Sequence, residues 1–461
     1  MFLSFYCGAC RSWAEEEPAL PPGLADDGEP VLPPGLEDGG EPALPPGLAE
    51  DESAATPARK PETEPKGKWP LPFHGFWETR GGVRTRNDPV QPRDAILGET
   101  RLQLETEKAL GDAVLELTAD AYADGVLEEA EFDLRQLRLT ASPASRIDLR
   151  VGRQVLTWGT GDLLFINDLF PKDWQSFFIG RDVEYLKAPS DALKIGFFGD
   201  ALNVEFVYTP QFAPDRYITG ERISFWNPLF GRHAGRDDQV NANLPSAWFE
   251  DDEFALRLYR TVGRAEIAVY AYAGYWKSPG GQQLVPLRAT FPKLCVYGAS
   301  ARGTFGKGII NAEIGYYDSR QDRSGDDPFV NNSEFRLLLG YQRELAKEFT
   351  GAVQYYLEHM MDYAAYGNAL PFMLEPRDRD RHVITVRLTK LLMNQNLRAS
   401  LFAYYSPSDG DAYLRPHVLY KATDDWRLEL GGNVFAGEAD HTFFGQFKHN
   451  TNVYAGMRYT F

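Results

Sequence analysis

The sequence predicts an all-β chain: a transmembrane, antiparallel up-and-down β-barrel of about 18 strands, with 16 as the alternative count, preceded by a disordered, proline-rich N-terminal tail. Three observations predict this class. Apolar and polar residues alternate with a period of two over most of the chain. The connections between these segments are alternately short and long along the chain. Aromatic residues also make up 13% of the 461 residues.

The composition excludes two other classes of protein. The chain carries 48 Lys and Arg against 66 Asp and Glu, a net charge of −18. Nucleic acid is bound by basic surfaces that neutralise phosphates, so we expect no nucleic-acid partner. No apolar stretch approaches the about 20 residues that a membrane-spanning helix needs. Transmembrane strands are compatible with these totals, because their alternation averages to an ordinary mean hydropathy.

The first 68 residues differ in composition from the rest. They contain three tandem copies of one repeat with a Leu-Pro-Pro-Gly-Leu core, at 17–28, 29–40 and 41–52. Pro-Pro-Gly cannot enter a helix or a central strand, and so few apolar residues cannot offset the entropy of ordering. We therefore expect residues 15–68 to form a disordered acidic tail with polyproline II character, and residues 69–461 to form the barrel.

Residues 1–14 are interpreted as the remnant of a signal peptide whose start lies upstream. Ser12-Trp13-Ala14 fits the small-x-small pattern of a cleavage site. A degraded lipoprotein box around Cys7 and Cys10 is the alternative interpretation. The one other cysteine is Cys295, so disulfides are not expected to hold the fold together.

The alternation is clearest at the end of the chain. There the apolar face consists of Thr451, Val453, Ala455, Met457, Tyr459 and Phe461, and the polar face of Asn452, Tyr454, Gly456, Arg458 and Thr460. The same division recurs at 202–209, 253–258, 310–317, 335–342 and 397–404. A soluble sandwich could produce any one of these segments, so the connections must separate the two folds.

The connections favour a barrel. Short turns occur at every second connection, at 109–112, 142–145, 199–200, 262–263, 305–307, 344–347, 393–395 and 423–425. Most of the intervening connections are long, at 85–97, 156–190, 210–252, 276–293, 319–333, 358–380 and 436–448. Short periplasmic turns and long external loops are typical of outer-membrane barrels.

Two segments resemble known families. The end of the chain, Arg458-Tyr459-Thr460-Phe461, resembles the terminal-Phe signature of outer-membrane porins, which the barrel assembly machinery reads; Tyr459 and Phe461 would carry that signal. Residues 151–159 (VGRQVLTWG) resemble the GRQ-x-x-x-WG element of porin-like families, including alginate-export-type proteins. The resemblance implies a pore in a bacterial outer membrane, in contact with lipid. General porins usually have 16 strands and no repeated tail, so the oligomeric state stays open.

If the apolar face meets lipid, the charged face must line the interior. The basic pore-lining candidates are Arg101, Arg135, Arg150, Arg257, Arg336, Arg387, Arg398, Arg415, Arg427 and Arg458. The acidic candidates are Glu105, Glu116, Asp133, Asp148, Glu205, Glu266, Glu313, Glu358 and Glu429. One interpretation is that cross-strand Arg–Glu pairs brace a water-filled interior. The other is an Arg ladder that selects anionic solutes.

Two long loops are too apolar to extend freely into water. We expect residues 158–190 to fold inward as a constriction or plug, carried by Trp158, Asp162, Phe165, Asp168, Phe170, Trp174 and Phe177. Residues 210–252, with Phe212, Tyr217, Phe225, Trp226, Phe230 and Trp248, would cap the mouth or form an apolar entry surface. The alternative for both is a self-packed external loop or an aromatic girdle.

The sequence therefore predicts a porin or channel, and not an enzyme. Its seven His are scattered without a metal-binding motif, and neither a cofactor nor a metal is expected. The alternative function is a portal or adaptor of a trans-envelope export or uptake system. In that case residues 17–52 would bind a periplasmic partner, because repeated polyproline II ligands gain avidity.

Overall fold

The computed structural model describes residues 73–461. The signal-peptide remnant at 1–14, the disordered tail at 15–68 and its three repeats are predictions that lie outside the described residues. The barrel was predicted to begin at residue 69, and its first strand begins at His74.

Eighteen strands form one sheet in which each strand pairs antiparallel with the next. They are β1 His74–Arg84, β2 Ala95–Leu110, β3 Ala113–Asp124, β4 Glu129–Ala144, β5 Ile147–Val155, β6 Pro189–Phe198, β7 Asn203–Thr209, β8 Glu253–Val262, β9 Ala265–Tyr275, β10 Lys293–Phe305, β11 Gly308–Ser319, β12 Glu334–Ala346, β13 Phe349–Met360, β14 Asp380–Leu392, β15 Leu397–Ser406, β16 Asp411–Lys421, β17 Trp426–Gly437 and β18 Asn452–Thr460.

The sheet is closed, because β18 pairs with β1 as well as with β17. Phe76 lies opposite Thr460, and the backbone N–H of Gly75 donates to the carbonyl of Phe461 over 3.1 Å. Closure leaves the sheet without a free outer strand. The predicted all-β barrel and its count of about 18 strands are confirmed.

The alternation of the sequence divides the wall into two faces. In β18, Val453 is 46% exposed on the outside, whereas Asn452 and Tyr454 are buried inside. The same pattern in other strands leaves large apolar side chains exposed outside, among them Leu102, Leu139, Val151, Ile195, Ile267, Val269, Ile310, Ile314, Val353, Val386 and Leu430. The outside is therefore an apolar band, and polar groups are concentrated inside.

The two rims of the barrel differ. Turns of two to four residues join β2–β3, β4–β5, β6–β7, β8–β9, β10–β11, β12–β13, β14–β15 and β16–β17 at one rim. Glycines with positive φ, such as Gly263 (61°) and Gly306 (59°), form the tightest of these turns. The other rim carries the loops 85–94, 156–188, 210–252, 276–292, 320–333, 361–379 and 438–451.

The predicted loop bounds differ from the observed ones by a few residues, because the flanking strands continue past the alternating core. The loop predicted at 85–97 ends at residue 94, because β2 begins at Ala95, and the connection predicted at 156–190 ends at residue 188, because β6 begins at Pro189. Two connections at the loop rim are short, at 125–128 and 407–410. The predicted parity of short and long connections therefore has two exceptions.

Helices are short and lie in the loops. They are α1 Trp174–Ile179, α2 Tyr363–Ala369 and two 3-10 turns, Val183–Leu186 and Gly445–Asn450. Among residues 73–461, no helix has the length and apolar character to cross a membrane. Small extra sheets also lie in the loops: a hairpin of Phe225–Asn227 with Arg232–Ala234, and a three-stranded sheet of Ala242–Asn243, Leu287–Thr290 and Gly281–Leu284.

Candidate functional site: the loop inside the barrel

Residues 156–188, called the inner loop below, enter the barrel at the end of β5. The bend begins at Gly152, which has a φ of +117° and lies close to β4. A Cβ at this position would lie 2.2 Å from the carbonyl oxygen of Leu137, so no other residue fits without displacing the wall. Gln154 is fully buried, and its Nε2 donates to the carbonyl of Ala192 over 2.9 Å, which fixes the end of β5 against β6.

The Trp-Gly pair of the GRQ-x-x-x-WG element directs the chain across the interior. Trp158 Nε1 donates to Glu205 Oε2 over 2.9 Å, and the indole ring packs edge-on against Phe170. Gly159 has a φ of +85°, and a Cβ there would lie 3.1 Å from Glu313 Oε1. In this element, Trp158 fixes the loop to β7 through Glu205, and Gly159 allows the backbone to approach Glu313 of β11.

Glu313 of β11 holds the first arm of the loop. Its carboxylate accepts hydrogen bonds from the backbone N–H groups of Thr160, Gly161 (2.7 Å) and Asn167 (3.2 Å), and from Asn167 Nδ2 (2.8 Å). The Glu313 side chain is 1% exposed. A buried carboxylate is stable only when hydrogen bonds replace its water, and here the loop supplies all four donors.

The same arm is held by strands further round the ring. Gln354 of β13 both donates to the carbonyl of Asp162 and accepts from its N–H, each over 2.8 Å. The Asp162 carboxylate forms an ion pair with Arg387 of β14. Tyr404 of β15 donates to the carbonyl of Leu163 over 2.9 Å. The arm thus crosses from β7 to β15 along the inner wall.

Helix α1 is the apolar centre of the loop. Trp174, Phe177 and Phe178 pack against one another, and Phe178 meets Tyr413 and Phe435 on the wall with ring centroids 5.4 and 5.3 Å apart. Such edge-to-face contacts are favourable beyond the area they bury. The guanidinium carbon of Arg415 of β16 lies 4.0 Å from the centroid of the Phe177 ring.

Specific backbone contacts hold both ends of α1. Asp173 caps the N-terminus by accepting from the N–H of Ser176 over 2.7 Å. Gly180 ends the helix with a φ of +96°, the left-handed conformation typical of glycine at this position. The carbonyl of Gly180 accepts from Arg80 Nη1 over 2.9 Å. A Cβ on Gly180 would lie 2.2 Å from Tyr454 Cδ1, so the helix end packs directly against β18.

The return arm of the loop is charged. Arg181 donates to Glu99 of β2 over 2.6 Å, and Glu184 accepts from Arg458 of β18 over 2.7 Å. The guanidinium carbons of Arg101 and Arg135 each lie 4.4 Å from the centroid of the Tyr185 ring. Burial raises the pKa of Tyr185 well above its ordinary value, and the two guanidinium groups oppose that rise. Tyr185 is therefore a neutral ring in contact with two cations.

Most of the predicted basic candidates form ion pairs or contact the loop. Arg257 bridges Glu205 (3.3 Å) and Glu266 (2.6 Å), and Arg336 pairs with Glu334 over 2.6 Å. Arg101 pairs with Asp120 over 2.5 Å. Arg135 instead donates to loop carbonyls, from Nη2 to Glu184 over 3.2 Å. Cross-strand pairs therefore neutralise much of the interior.

Three predicted basic candidates do not form ion pairs with the described residues. Within residues 73–461, Arg150, Arg398 and Arg427 have no ion pair. Arg150 and Arg398 are partly exposed on the inner face, and Arg427 is exposed close to the short-turn rim. Arg398 and Arg427 therefore leave positive charge available on the short-turn side of the inner loop, whereas the charge of Arg150 interacts with Glu116.

The remaining predicted loop residues lie within the fold of the loop itself. Asp168 accepts from Thr157 Oγ1 over 2.8 Å and pairs with Lys172 over 3.0 Å. Phe165 packs against Trp174, with ring centroids 6.0 Å apart. All of the loop candidates therefore contact one another, the wall or both. Tyr459 and Phe461 lie at the short-turn rim, where Tyr459 packs on Trp426 with ring centroids 4.9 Å apart.

The loop 210–252 closes over the inner loop. Asp215 is buried and accepts from the N–H of Lys172 (2.7 Å), from Trp174 Nε1 (3.1 Å) and from Ser278 Oγ (2.6 Å). Burial raises the pKa of Asp215, and these hydrogen bonds oppose the rise. Phe212 of this loop packs on Tyr275 at the end of β9, with ring centroids 5.0 Å apart.

Some predicted aromatics of this second loop are not part of the packed cluster. Phe230 and Trp248 are exposed to solvent, whereas Phe212 is buried. The described part of the chain holds no group of three or more His, Cys, Asp or Glu side chains that could bind a metal.

Several residues of the site were not among the sequence candidates. Arg80 of β1 is buried and pairs with Glu78 (2.7 Å) and Glu429 (2.7 Å), and Arg181 and Asn167 hold the loop. The alternation of β1 places Glu78 and Arg80 on one face and could have identified them. No local pattern marks Asn167, because its partner Glu313 is distant in sequence.

The fold is similar to that of solved bacterial outer-membrane porins. The chain is similar to OccK11 (OpdR) of Pseudomonas aeruginosa, with 10% identity over 84% of this chain and 95% of that chain and a TM-score of 0.50. It is also similar to OccD3 (OpdP) of Pseudomonas aeruginosa, with 10% identity, 84% and 91% coverage and a TM-score of 0.49. For an anion-selective porin from Comamonas acidovorans, the identity is 13%, the coverage 85% and 99%, and the TM-score 0.41.

No protein-family model matches the chain, and no curated protein matches it. At these identities the similarity shows the fold. The chain therefore has the porin-like β-barrel fold that the sequence predicted.

Proposed function

We propose that the protein is an outer-membrane channel for small solutes in which the inner loop is the constriction. One observation carries the proposal: the loop is bonded to inward-facing residues all round the ring, from Glu205 of β7 through Glu313 and Arg387 to Arg80 of β1. A segment held on all sides of a barrel limits the free cross-section. Solutes must then pass beside it or move it.

The decisive measurement is conductance in planar bilayers. The wild-type chain should give small, discrete steps, and deletion of residues 163–178 should enlarge them. Liposome swelling with sugars, dicarboxylates, aromatics and alkanes would identify the class of solute. The proposal fails if the protein is a compact monomer in buffer without detergent, or if the deletion variant forms a barrel of unchanged conductance.

The unpaired basic groups support a preference for anions within this channel. Arg398 and Arg427 lie inside without an ion pair among residues 73–461, so an entering anion would meet positive charge there, whereas the charge of Arg150 interacts with Glu116. The reversal potential in a KCl gradient measures this preference. Replacing Arg398 and Arg427 by Gln should shift it toward cations, and an unchanged potential would contradict anion selection.

A portal of a trans-envelope system is the second candidate. It is favoured because the inner loop is bonded to strands around the ring, and because β1 begins at the short-turn rim, which faces the periplasm in outer-membrane barrels. Residues 17–52 would then meet a periplasmic partner. A pull-down with a peptide of residues 17–52 tests this role, together with conductance before and after addition of any captured protein. A tail that retains no envelope protein would favour a spacer.

A further inference from the structure

Three basic side chains face outward near the short-turn rim of the barrel. They are Arg260 of β8, Arg343 of β12 and Lys390 of β14. Arg260 lies opposite Ile267, an exposed residue of the apolar band. Because side chains alternate along a strand, Arg343 shares its face of β12 with the exposed Leu339. In the same way Lys390 shares its face of β14 with the exposed Val386.

Among residues 73–461 these three cations have no acidic partner. None of them forms an ion pair, and the hydrogen bond that Lys390 Nζ donates goes to the carbonyl of Lys347, over 2.8 Å. On the described strands from β8 to β14, no Asp or Glu faces outward near this rim. The turns of the same sector contain three further cations and one acid, namely Arg264, Lys307, Lys347 and Glu348. This side of the rim therefore carries an excess of positive charge.

The apolar surface of the barrel continues past these cations. In each strand the next outward residue toward the rim is apolar and exposed: Val262 after Arg260, Leu345 after Arg343 and Leu392 after Lys390. Two residues advance a strand by about 6–7 Å. The cations therefore lie where acyl chains meet headgroups. A cation in that zone is unfavourable unless it meets a negatively charged partner.

No side chain of a neighbouring strand stands directly beside Arg343. Its cross-strand partners are Gly308 of β11 and Gly351 of β13. Tyr341 lies over Gly308, where a Cβ would be 2.8 Å from the ring Cζ. Leu345 lies over Gly351, where a Cβ would be 2.6 Å from Cδ1. The guanidinium group is thus exposed between an aromatic and an aliphatic side chain of its own strand.

A second cation accompanies Arg343. Lys307 is exposed in the β10–β11 turn and directly precedes Gly308, the partner of Arg343. Lys108 of β2 also faces outward near this rim, since it lies opposite Leu115, but the turn that follows β2 carries an acid, Asp112. The surface at Arg343 therefore differs by having two neighbouring cations.

We propose that Arg343 and Lys307 bind the phosphate of an anionic phospholipid in the periplasmic leaflet. The inference rests on the proposed function, since only a barrel in a membrane presents this face to lipid. The short-turn rim faces the periplasm in outer-membrane barrels, and the leaflet on that side consists of phospholipid. The acyl chains would lie along Ile310, Leu339 and Val353, which are exposed on the same faces of β11, β12 and β13.

The charges favour a headgroup that is negative overall. Arginine donates paired hydrogen bonds to two phosphate oxygens, and lysine adds a point charge. The ammonium of phosphatidylethanolamine would approach both cations, and no outward carboxylate of the described strands β8 to β14 could receive it. Phosphatidylglycerol has no ammonium. Each cation near a membrane surface favours an anionic lipid by about fivefold.

The test is native mass spectrometry of the full chain in detergent, titrated with phosphatidylglycerol and separately with phosphatidylethanolamine. The wild-type protein should retain phosphatidylglycerol about fivefold better or more. Arg343→Met should remove about fivefold of that retention, and the double variant Arg343→Met, Lys307→Met should retain both lipids equally. Excess inorganic phosphate should not displace the lipid, because the acyl chains also bind.

The matched control is Lys421→Met. Lys421 lies at the same rim, but it faces the interior opposite Arg427 and pairs with Asp424 over 2.9 Å. This variant should retain both lipids as the wild type does. An equal loss in the control, displacement by inorganic phosphate, or equal retention of the two lipids by the wild type would overturn the inference. If the wild type shows no lipid preference but conducts normally, the inference fails and the channel stands.

Discussion

The carboxylate of Glu313 is the clearest target for releasing the inner loop. It accepts four hydrogen bonds from the loop, two on each oxygen, and it has no cation among these partners. In Glu313→Gln one oxygen becomes an NH₂ group, which cannot accept from the two N–H groups that face it. Hydrogen bonds to charged groups contribute about 1.5–3 kcal/mol each, so the loss is about 3–6 kcal/mol.

Glu313→Gln also removes a buried charge, which offsets part of this loss. The net weakening of the attachment between the loop and β11 is therefore about 2–4 kcal/mol. The first arm should therefore detach from β11 for a measurable fraction of the time. Single-channel recordings should show larger mean conductance and frequent transitions between levels. Glu105→Gln is the control, since Glu105 is exposed at the short-turn end of β2. An unchanged recording from a correctly folded Glu313→Gln barrel would refute the role given to this carboxylate.

Three further predictions concern the loops and the barrel end. Gly180→Ala should lower the melting temperature of the folded barrel, measured by heat-shifted gel mobility, because its Cβ would collide with the Tyr454 ring; equal melting would contradict the close approach. His233 joins the loops 210–252 and 438–451, because its Nε2 lies 3.2 Å from the carbonyl oxygen of Gln446. Burial, together with the nearby His449, lowers the pKa of His233. The unfolded chain then binds more protons, so stability should fall as the pH drops below about 6.5, and His233→Gln should flatten this dependence in thermal melts. Deletion of Phe461 removes its backbone hydrogen bonds with Gly75 and should reduce the yield of folded barrel in the outer membrane; a full yield would argue against a terminal assembly signal.

The barrel could be predicted from sequence because its cause is local. Alternation such as that of β18 places Val453 outside and Tyr454 inside whatever the rest of the chain does. The inward fold of the inner loop was predicted from its apolar content, because exposed side chains such as Leu163, Trp174 and Phe177 would be unfavourable in water. Its anchors could not be predicted: Glu313 and Asn167 meet only because β11 lies across the ring from the end of β5.

The contact between Gly75 and Phe461 joins nearly the whole length of the described chain. Contacts of such large sequence separation form late, because the intervening polymer must first be confined. Until that moment β1 and β18 each present an unpaired edge to other molecules. A host cell would consequently need chaperones that bind the unpaired edges of β1 and β18 until the last strand has been added. Overproduction should exceed the capacity of these chaperones, and aggregation should then begin at these two edges.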